Sequence, residues 1–313
     1  MSPEMQYVYT VYQEGSFSKA AEKLYLTQPA LSIAIHKVEQ SIGMPLFDRK
    51  RKPIRLTDAG EIYVDTIRKM MLLEQEQQQR LNDIQNLVTG SIRLGGTHYL
   101  IAYILPQILA SFSRQYPGVT LEIQERSSYE LAGMLANREL DVTFNCDPEF
   151  VQMFPRQEMF EDHVLLAVPA TDPFNSLYPE CALTAAQVLA ERHTSPDCPR
   201  LRLTAFADLE FILLRKGNNL HERAWQMFRE ADIQPKIKMD LNQLVTAFHL
   251  AEAGMGATFV SDRIVRPQNT ALRYYPLDSA LASRMFYILL PKDAYVPVAV
   301  RRFVEHIRSW DRM

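Results

Sequence analysis

The sequence predicts an N-terminal all-α winged helix-turn-helix with a long linker helix, followed by a C-terminal α/β domain of two lobes. Three observations carry this reading: a helix-turn-helix pattern ahead of a basic cluster, a proline-free stretch rich in helix formers, and a long alternation of strand-like and helix-like segments. A chain of 313 residues has room for two or three compact units, since domains usually run to roughly 100 to 150 residues. Charge is distributed unevenly. Residues 1–56 hold eight Lys or Arg against five Asp or Glu, a balance of +3, which leaves −6 for the rest of a chain whose net charge is −3.

The first helix of the pattern starts where Ser18 can cap Lys19–Leu24, with Ala21 and Leu24 spaced to face inward. A second helix follows at Thr27-Gln28-Pro29. Thr27 or Gln28 supplies its cap, and Pro29 occupies the first turn, where a missing N–H is harmless. It ends at Gly43, a residue at ease with positive φ. At 100° per residue, Leu31, Ile35, Val38 and Ile42 fall within about 60° of one another and form a core stripe. Pro29, Ile33, His36 and Gln40 lie opposite, with Gln28 and Ser32 on the flank. That face suits the major groove, where amides and hydroxyls pair with base edges and an apolar side chain meets a thymine methyl. Ile33 either plays that apolar part or is an exposed side chain that packs on a neighbouring subunit or on nothing.

Residues 45–56 read as two short extended arms anchored by Leu46, Phe47 and Leu56 around a basic tip. Five of the seven residues in Arg49–Arg55 are basic: Arg49, Lys50, Arg51, Lys52 and Arg55. Such a wing lies against phosphates and adds affinity without sequence information. From Asp58 to about Val88 there is no proline and only Gly60 near the start, so a single helix of roughly 45 Å is expected. Ile67, Met70, Met71, Leu81, Ile84, Leu87 and Val88 recur at helical spacing, interrupted by Glu74–Gln79. A protruding helix of this length needs a partner. Thr89-Gly90-Ser91 reads as a hinge.

Five blocks carry a family resemblance: Gly15-Ser16-Phe17-Ser18-Lys19-Ala20-Ala21, Leu26-Thr27-Gln28-Pro29-Ala30-Leu31-Ser32, Ile42-Gly43, Pro45-Leu46-Phe47-Asp48-Arg49 and Leu56-Thr57-Asp58-Ala59-Gly60. In order and spacing they resemble the DNA-binding domain of LysR-type transcription regulators. The resemblance implies a helix-turn-helix over about Phe17–His36, with Ser16, Gln28, Pro29 and Ser32 at the family's usual positions. It also implies a homodimer or a tetramer of two dimers through the linker helix, and RNA polymerase as a further partner. Ile33-Ala34 depart from the polar or basic pair common in the family.

In the C-terminal two-thirds, Ile92–Gly95, Val119–Gln124 and Asp141–Asn145 read as strands, alternating with helices at Ala102–Gln115 and Tyr129–Asn137. A second set runs Val164–Val168, Phe211–Leu214, helix His221–Ala231, Lys236–Met239, helix Gln243–Ala253 and Ala257–Val260, before strand Met285–Leu290 and helix Val298–Trp310. This is an α/β pattern with a parallel sheet. It resembles the periplasmic-binding-protein-like effector domain of LysR-type regulators, with crossings near Glu161–Val164 and Arg266–Thr270. The expected boundaries are 1–57 for the winged helix-turn-helix, 58–90 for linker and hinge, and 91–313 for the effector domain. Lobe I is expected at 91–162 and 267–313, lobe II at 163–266. Residues 177–205 exceed the family's usual connection and are expected to form a surface elaboration, with an extra helix near Leu183–Arg192.

A small polar or anionic effector is expected between the lobes, at the strand ends where α/β folds place ligands. The candidates are Thr97, His98 and Tyr99 after the first strand, Ser127 and Ser128 at the next helix start, and Asn145 at the third strand end. From the other lobe, the resemblance implies Arg215, Asn218 and Thr246, which match regions where LysR-type proteins approach their effectors, Arg215 being able to hold a carboxylate in a bidentate pair. No catalytic motif, metal site or cofactor loop is found: Gly-x-Ser-x-Gly, His-Glu-x-x-His, phosphate-binding and Gly-x-Gly-x-x-Gly patterns are missing, and His163, His221 and His249 lack sequence neighbours suited to catalysis or ligation. Cys146, Cys181 and Cys198 are odd in number and widely spaced, which predicts free thiols. No apolar run reaches a membrane span, and Met1–Gly15 has no signal-peptide pattern, so a cytoplasmic address is expected. Two other readings are a small-molecule receptor, which residues 1–60 oppose, and an enzyme with a fused DNA-binding domain, which lacks a catalytic motif.

Overall fold

A computed structural model describes residues 2–51, 53–84 and 88–310 of the protein. The chain divides into two compact units, Met1–Asn86 and Leu87–Met313.

In the first unit, α1 (Pro3–Glu14) is capped by Ser2 and closed by Gly15 in the left-handed region at φ 58°. The sequence reading has no helix here, although Ser2, Pro3 at the first position and the Val8/Val11 pair, both fully buried, all point to one. Helix α2 (Phe17–Lys23) takes its cap from Ser16, whose Oγ accepts from the Lys19 amide. The cap is therefore Ser16 and not Ser18: Phe17 must enter the helix to bury its ring against Phe47. Helix α3 (Gln28–Ile42) is capped by Thr27 and ends at Gly43 with φ 79°. Leu31, Ile35 and Val38 are buried in one core with Val8, Val11, Leu46 and Phe47. The wing pairs β1 (Phe47–Asp48) with β2 (Arg55–Leu56), Phe47 opposite Leu56. Helix α4 (Asp58–Ile84) then leaves the wing. Its start is fixed by Thr57, whose hydroxyl donates to Pro45 O and accepts from the Gly60 amide. Gly60 is required there because a Cβ would lie 2.0 Å from the Leu46 carbonyl oxygen. Lys52 and the expected helical residues 85–87 lie outside the described residues.

The second unit opens with β3 (Gly90–Gly96), a π-helical turn at Leu100–Ile104 and α5 (Leu105–Gln115). Pro106 has no N–H to give to an α-helical ladder, and the wider turn, closed by the Leu105 amide on Leu100 O, absorbs the break. Next come β4 (Val119–Glu125), α6 (Ser128–Ala136), β5 (Thr143–Asn145), the single turn α7 (Pro148–Val151) and the 14-residue β6 (Arg156–Pro169). After α8 (Ala185–Leu189) the chain runs β7 (Glu210–Leu214), α9 (Asn219–Glu230), β8 (Lys236–Leu241), α10 (Leu244–Glu252) and β9 (Thr258–Ser261). It closes with β10 (Leu272–Pro276), β11 (Ser283–Leu289) and α11 (Val298–Trp310).

The sheets are mixed rather than parallel throughout. β3/β4 and β7/β8 are parallel pairs, whereas β6 is antiparallel to β9, β10 and β11. The cause is β6 itself, which runs through both lobes: Arg156–His163 pair with β11, and Val164–Pro169 pair with β9 and β10. The expected second crossing at 266–270 is too early. β10 still belongs to lobe II, held by Leu272, Tyr274 and Tyr275, all fully buried, and the return to lobe I comes between Leu277 and Ser283.

The 177–205 segment is more than a surface elaboration. Helix α8 falls where the extra helix is expected, but Leu183 and Leu201 hydrogen-bond to β10 at Tyr274 and Pro276, and Cys181, Val188, His193, Cys198 and Leu203 are buried. Its apolar residues add a layer to lobe II that the alternation of strands and helices does not reveal. The three thiols are free and buried. Among the described residues, no helix is long and apolar enough to cross a membrane.

Candidate DNA-reading face and effector cleft

Helix α3 divides as its periodicity predicts: Leu31 and Ile35 are fully buried, while Gln28, Pro29, His36 and Gln40 are exposed and Ile33 is 59% exposed. Gln40 Nε2 lies 3.1 Å from His36 Nε2. Thr27 stays in the cap, and Ser16 likewise holds the α2 start, so their hydroxyls serve the backbone. Ser18 is exposed within the first turn of α2.

The basic cluster is not uniform. Arg49 donates to Glu39 Oε2 at 2.9 Å and to Ser32 Oγ at 3.3 Å, and its guanidinium lies 4.9 Å from the Phe17 ring centroid. Glu39 is buried, and its other oxygen accepts from the Leu46 amide at 2.9 Å. Arg49 therefore ties the wing base to α3 rather than standing free at the tip. Sequence reading missed Glu39, which follows Val38 around the helix to the edge of the buried stripe. Arg51 pairs with Asp48 at 3.3 Å, and Lys50 and Arg55 are exposed.

In the second unit, a cleft of about 400 Å³ opens between the lobes. Eight of the nine predicted effector residues line it: Thr97, His98, Tyr99, Ser127, Ser128, Asn145, Arg215 and Asn218. Thr246 does not. Two residues into α10, it has turned away from the cleft, and Asn242, Gln243 and Leu244 form that corner instead. Glu125, Arg126, Cys146, Lys216, Asn219, Arg284 and Phe286 also line the cleft and were missed. Arg126 and Lys216 each neighbour a predicted position, but Arg284 comes from β11, which nothing local in sequence connects to the site.

Several predicted side chains are already engaged. Ser127 and Glu130 form a reciprocal capping box at α6, which lowers the Glu130 carboxyl pKa. Asn145 Oδ1 accepts from the Asp147 amide at 2.9 Å, and Asn218 caps α9. Tyr99 has its hydroxyl buried between Asp162 Oδ2 at 3.0 Å and Ser261 Oγ at 2.9 Å; burial, with the neighbouring Asp162, raises its pKa well above the ordinary tyrosine value. Asp162 is fully buried and meets Arg284 through both carboxylate oxygens, a charge pair beneath the cleft. Cys146 Sγ donates to Asn219 Oδ1 at 3.2 Å, and burial pushes its pKa up to about 11.

The balance of free charge in the cleft is positive. His98 Nδ1 lies 3.1 Å from Glu125 Oε1, whereas Arg126, Arg215 and Lys216 have no carboxylate partner among the described residues. Helices α6, α9 and α10 all begin at the cleft, so their partial positive ends converge there. The N-cap of α10, Gln243, makes no side-chain cap bond.

Two family models cover nearly the whole chain. Residues 3–61 match the bacterial regulatory helix-turn-helix protein, lysR family, and residues 85–312 match the LysR substrate binding domain. A probable RuBisCO transcriptional regulator of Nostoc sp. is 26% identical over 94% of this chain and 83% of its own length. A protein of the same description from Cyanidioschyzon merolae is 28% identical over 79% of this chain and 77% of its own length. Among solved structures, full-length CbnR complexed with its target DNA has a TM-score of 0.65 at 19% identity, covering 99% of both chains. A full-length OxyR variant from Pseudomonas aeruginosa has a TM-score of 0.64 at 20% identity, covering 97% of this chain and 96% of its own. The chain thus belongs to the LysR family of transcriptional regulators, with a helix-turn-helix DNA-binding domain at its N-terminus and a LysR substrate-binding domain over its C-terminal two-thirds.

Proposed function

We propose that this regulator binds a small anionic effector in the interlobe cleft and reads double-stranded DNA with α3. The observation that supports the effector class most strongly is the unpaired positive charge of Arg126, Arg215 and Lys216 around a cleft onto which helix N-termini open. Arg215 grips a carboxylate or phosphate edge, and the Thr97 hydroxyl adds a short-range donor. His98 and Ser128 shape the wall, while Tyr99, with its hydroxyl committed, offers only its backbone and ring. Asp162 neutralises Arg284, so Arg284 supports the floor rather than adding net charge. On this reading the cleft binds and releases its ligand unchanged.

Gln28, Ser32, Ile33 and His36 face the base edges, with Pro29 setting the entry of α3. Lys50, Arg51, Lys52 and Arg55 meet phosphates. Arg49 acts on DNA through Ser32 and the wing base. Helix α4 joins two copies of the chain: Ile62 at 71%, Leu73 at 61% and Ile84 at 75% exposure are apolar groups that a partner helix covers. Tetramers of two dimers and contact with RNA polymerase extend this reading, as does a place in the cytoplasm with the DNA.

Calorimetric titration of the full-length protein with a panel of phosphate esters and dicarboxylates tests the effector assignment. A ligand is expected whose affinity falls at least tenfold in Arg215→Ala and less in Thr97→Val. If only neutral ligands bind, or neither substitution matters, the assignment fails.

A further inference from the structure

The 177–205 segment carries a buried histidine to the place where β6 passes from one lobe to the other. His193 Nε2 lies 3.0 Å from Asp262 Oδ2, and His163 Nδ1 lies 3.4 Å from the same oxygen. The two rings meet edge to face, with centroids 5.3 Å apart, and the three ligand atoms lie within 4.8 Å of one another. Asp262 follows β9 and is held by its other oxygen, which accepts from the His163 amide at 3.1 Å.

We propose that His163, His193 and Asp262 form a binding site for a divalent first-row transition-metal ion of the zinc type. Two imidazole nitrogens and one carboxylate oxygen are the donors such ions prefer, and three protein ligands leave a position open for water. With metal–ligand bonds of about 2.0 to 2.1 Å, neighbouring donors in a tetrahedral site stand about 3.3 to 3.4 Å apart. Both measured distances to Asp262 Oδ2 come close to that edge. The third edge closes by a turn of the His163 ring, the most exposed of the three at 28%, which also gives the ion its entry.

The nitrogens turned away from Asp262 differ: His163 Nε2 lies 4.0 Å from Glu161 Oε1, and His193 Nδ1 is buried without a hydrogen-bond partner. A carboxylate on the far side of a ligating histidine orients the ring and strengthens it as a ligand. The site lies on the opposite side of β6 from the cleft, because Asp162 faces Arg284 and the next side chain points the other way. It depends on the added segment, since His193 comes from nowhere else.

Titrating the metal-free, full-length protein with Zn²⁺ against a chromophoric chelator tests the proposal. One Zn²⁺ per chain is expected, with affinity reduced at least tenfold in His163→Gln and in His193→Gln. The substitution His249→Gln, in an exposed His–Glu pair on α10, should leave it unchanged. His163→Gln should keep the urea midpoint of the metal-free protein, and Co²⁺ bound to wild type should show visible bands characteristic of four or five ligands. Zn²⁺ binding as tight in His163→Gln as in wild type overturns the proposal, and so does a Co²⁺ spectrum of a purely aquated ion. Neither result depends on the effector cleft, whose variant Arg215→Ala should bind Zn²⁺ as wild type does.

Discussion

The two units are built on different distances along the chain. In the first, the groups that shape the candidate reading face are close in sequence: Ser16 caps three residues on, Thr27 does the same, and Arg49 reaches Glu39 ten residues back. In the second, the groups that shape the cleft come from far apart: Asp162 and Arg284 are separated by 122 residues, and Tyr99 and Ser261 by 162. The helices and buried stripe of the first unit, made of local contacts, can be recovered from spacing, although the Glu39–Arg49 tie and the Ser16 cap needed the structure. A cleft made of distant contacts needs the fold first.

The comparison is sharpened most by breaking the Asp162–Arg284 pair. Arg284→Met alone leaves a buried carboxylate with no cationic partner, held only by the Tyr99 hydroxyl, and is expected to cost about 3 to 5 kcal/mol. Adding Asp162→Leu should recover much of that, although Tyr99 then loses one hydrogen-bond acceptor. Urea unfolding of the three proteins measures this; a single substitution costing under about 1 kcal/mol would mean the pair is solvated.

Next in size is Gly60→Ala. Its Cβ would stand 2.0 Å from Leu46 O, so α4 must shift, at a cost of about 1 to 3 kcal/mol confined to the first unit. Effector titration should be unchanged while DNA affinity falls.

The basic cluster offers a smaller but more diagnostic contrast. Arg49→Ala should destabilise the first unit by about 1 to 2 kcal/mol, since Glu39 is left buried with one fewer donor. Lys50→Ala should leave stability alone and reduce the salt slope of DNA binding by about one. Equal unfolding midpoints for the two variants would show that Arg49 is a wing cation like its neighbours.

The smallest effect concerns Cys146. With its pKa at about 11, only about one thiol in a thousand is ionised at pH 8, so alkylation of the native protein should be slow and should rise steeply with pH. Because the folded value lies above the ordinary 9.0, the thiol's contribution to stability is complete below about pH 9 and lost as pH climbs toward 11. Rapid labelling at pH 8 would mean the thiol is open to solvent.

Much of the architecture was legible in the sequence, for reasons that can be named. The α3 stripe follows from a period of 3.6, the wing from hydrophobic anchors around a basic tip, six cleft residues from strand ends and helix starts in an α/β pattern, and Arg215 and Asn218 from the family resemblance. What escaped has equally definite causes. Ser18 and Ser16 are both good caps, and only the burial of Phe17 decides between them. Strand β10 is indistinguishable from a connecting loop until Tyr274 and Tyr275 are seen packed in lobe II. His163 and His193, thirty residues apart, have no spacing motif to join them, because Asp262 meets them through the sheet.

Strand β6 has a mechanical consequence. Its backbone is hydrogen-bonded into both lobes, with one register shift opposite Phe286 and Tyr287, and among the described residues the chain passes between the lobes again in the short return between Leu277 and Ser283. The lobes are therefore leaves bound to one spine. They can twist about it or flex at Asp162 and His163, but they cannot slide past each other without tearing ladder bonds. Cleft opening is thus confined to twisting about this strand or flexing within it, next to the buried acid beneath the cleft and the imidazole on the strand's other face.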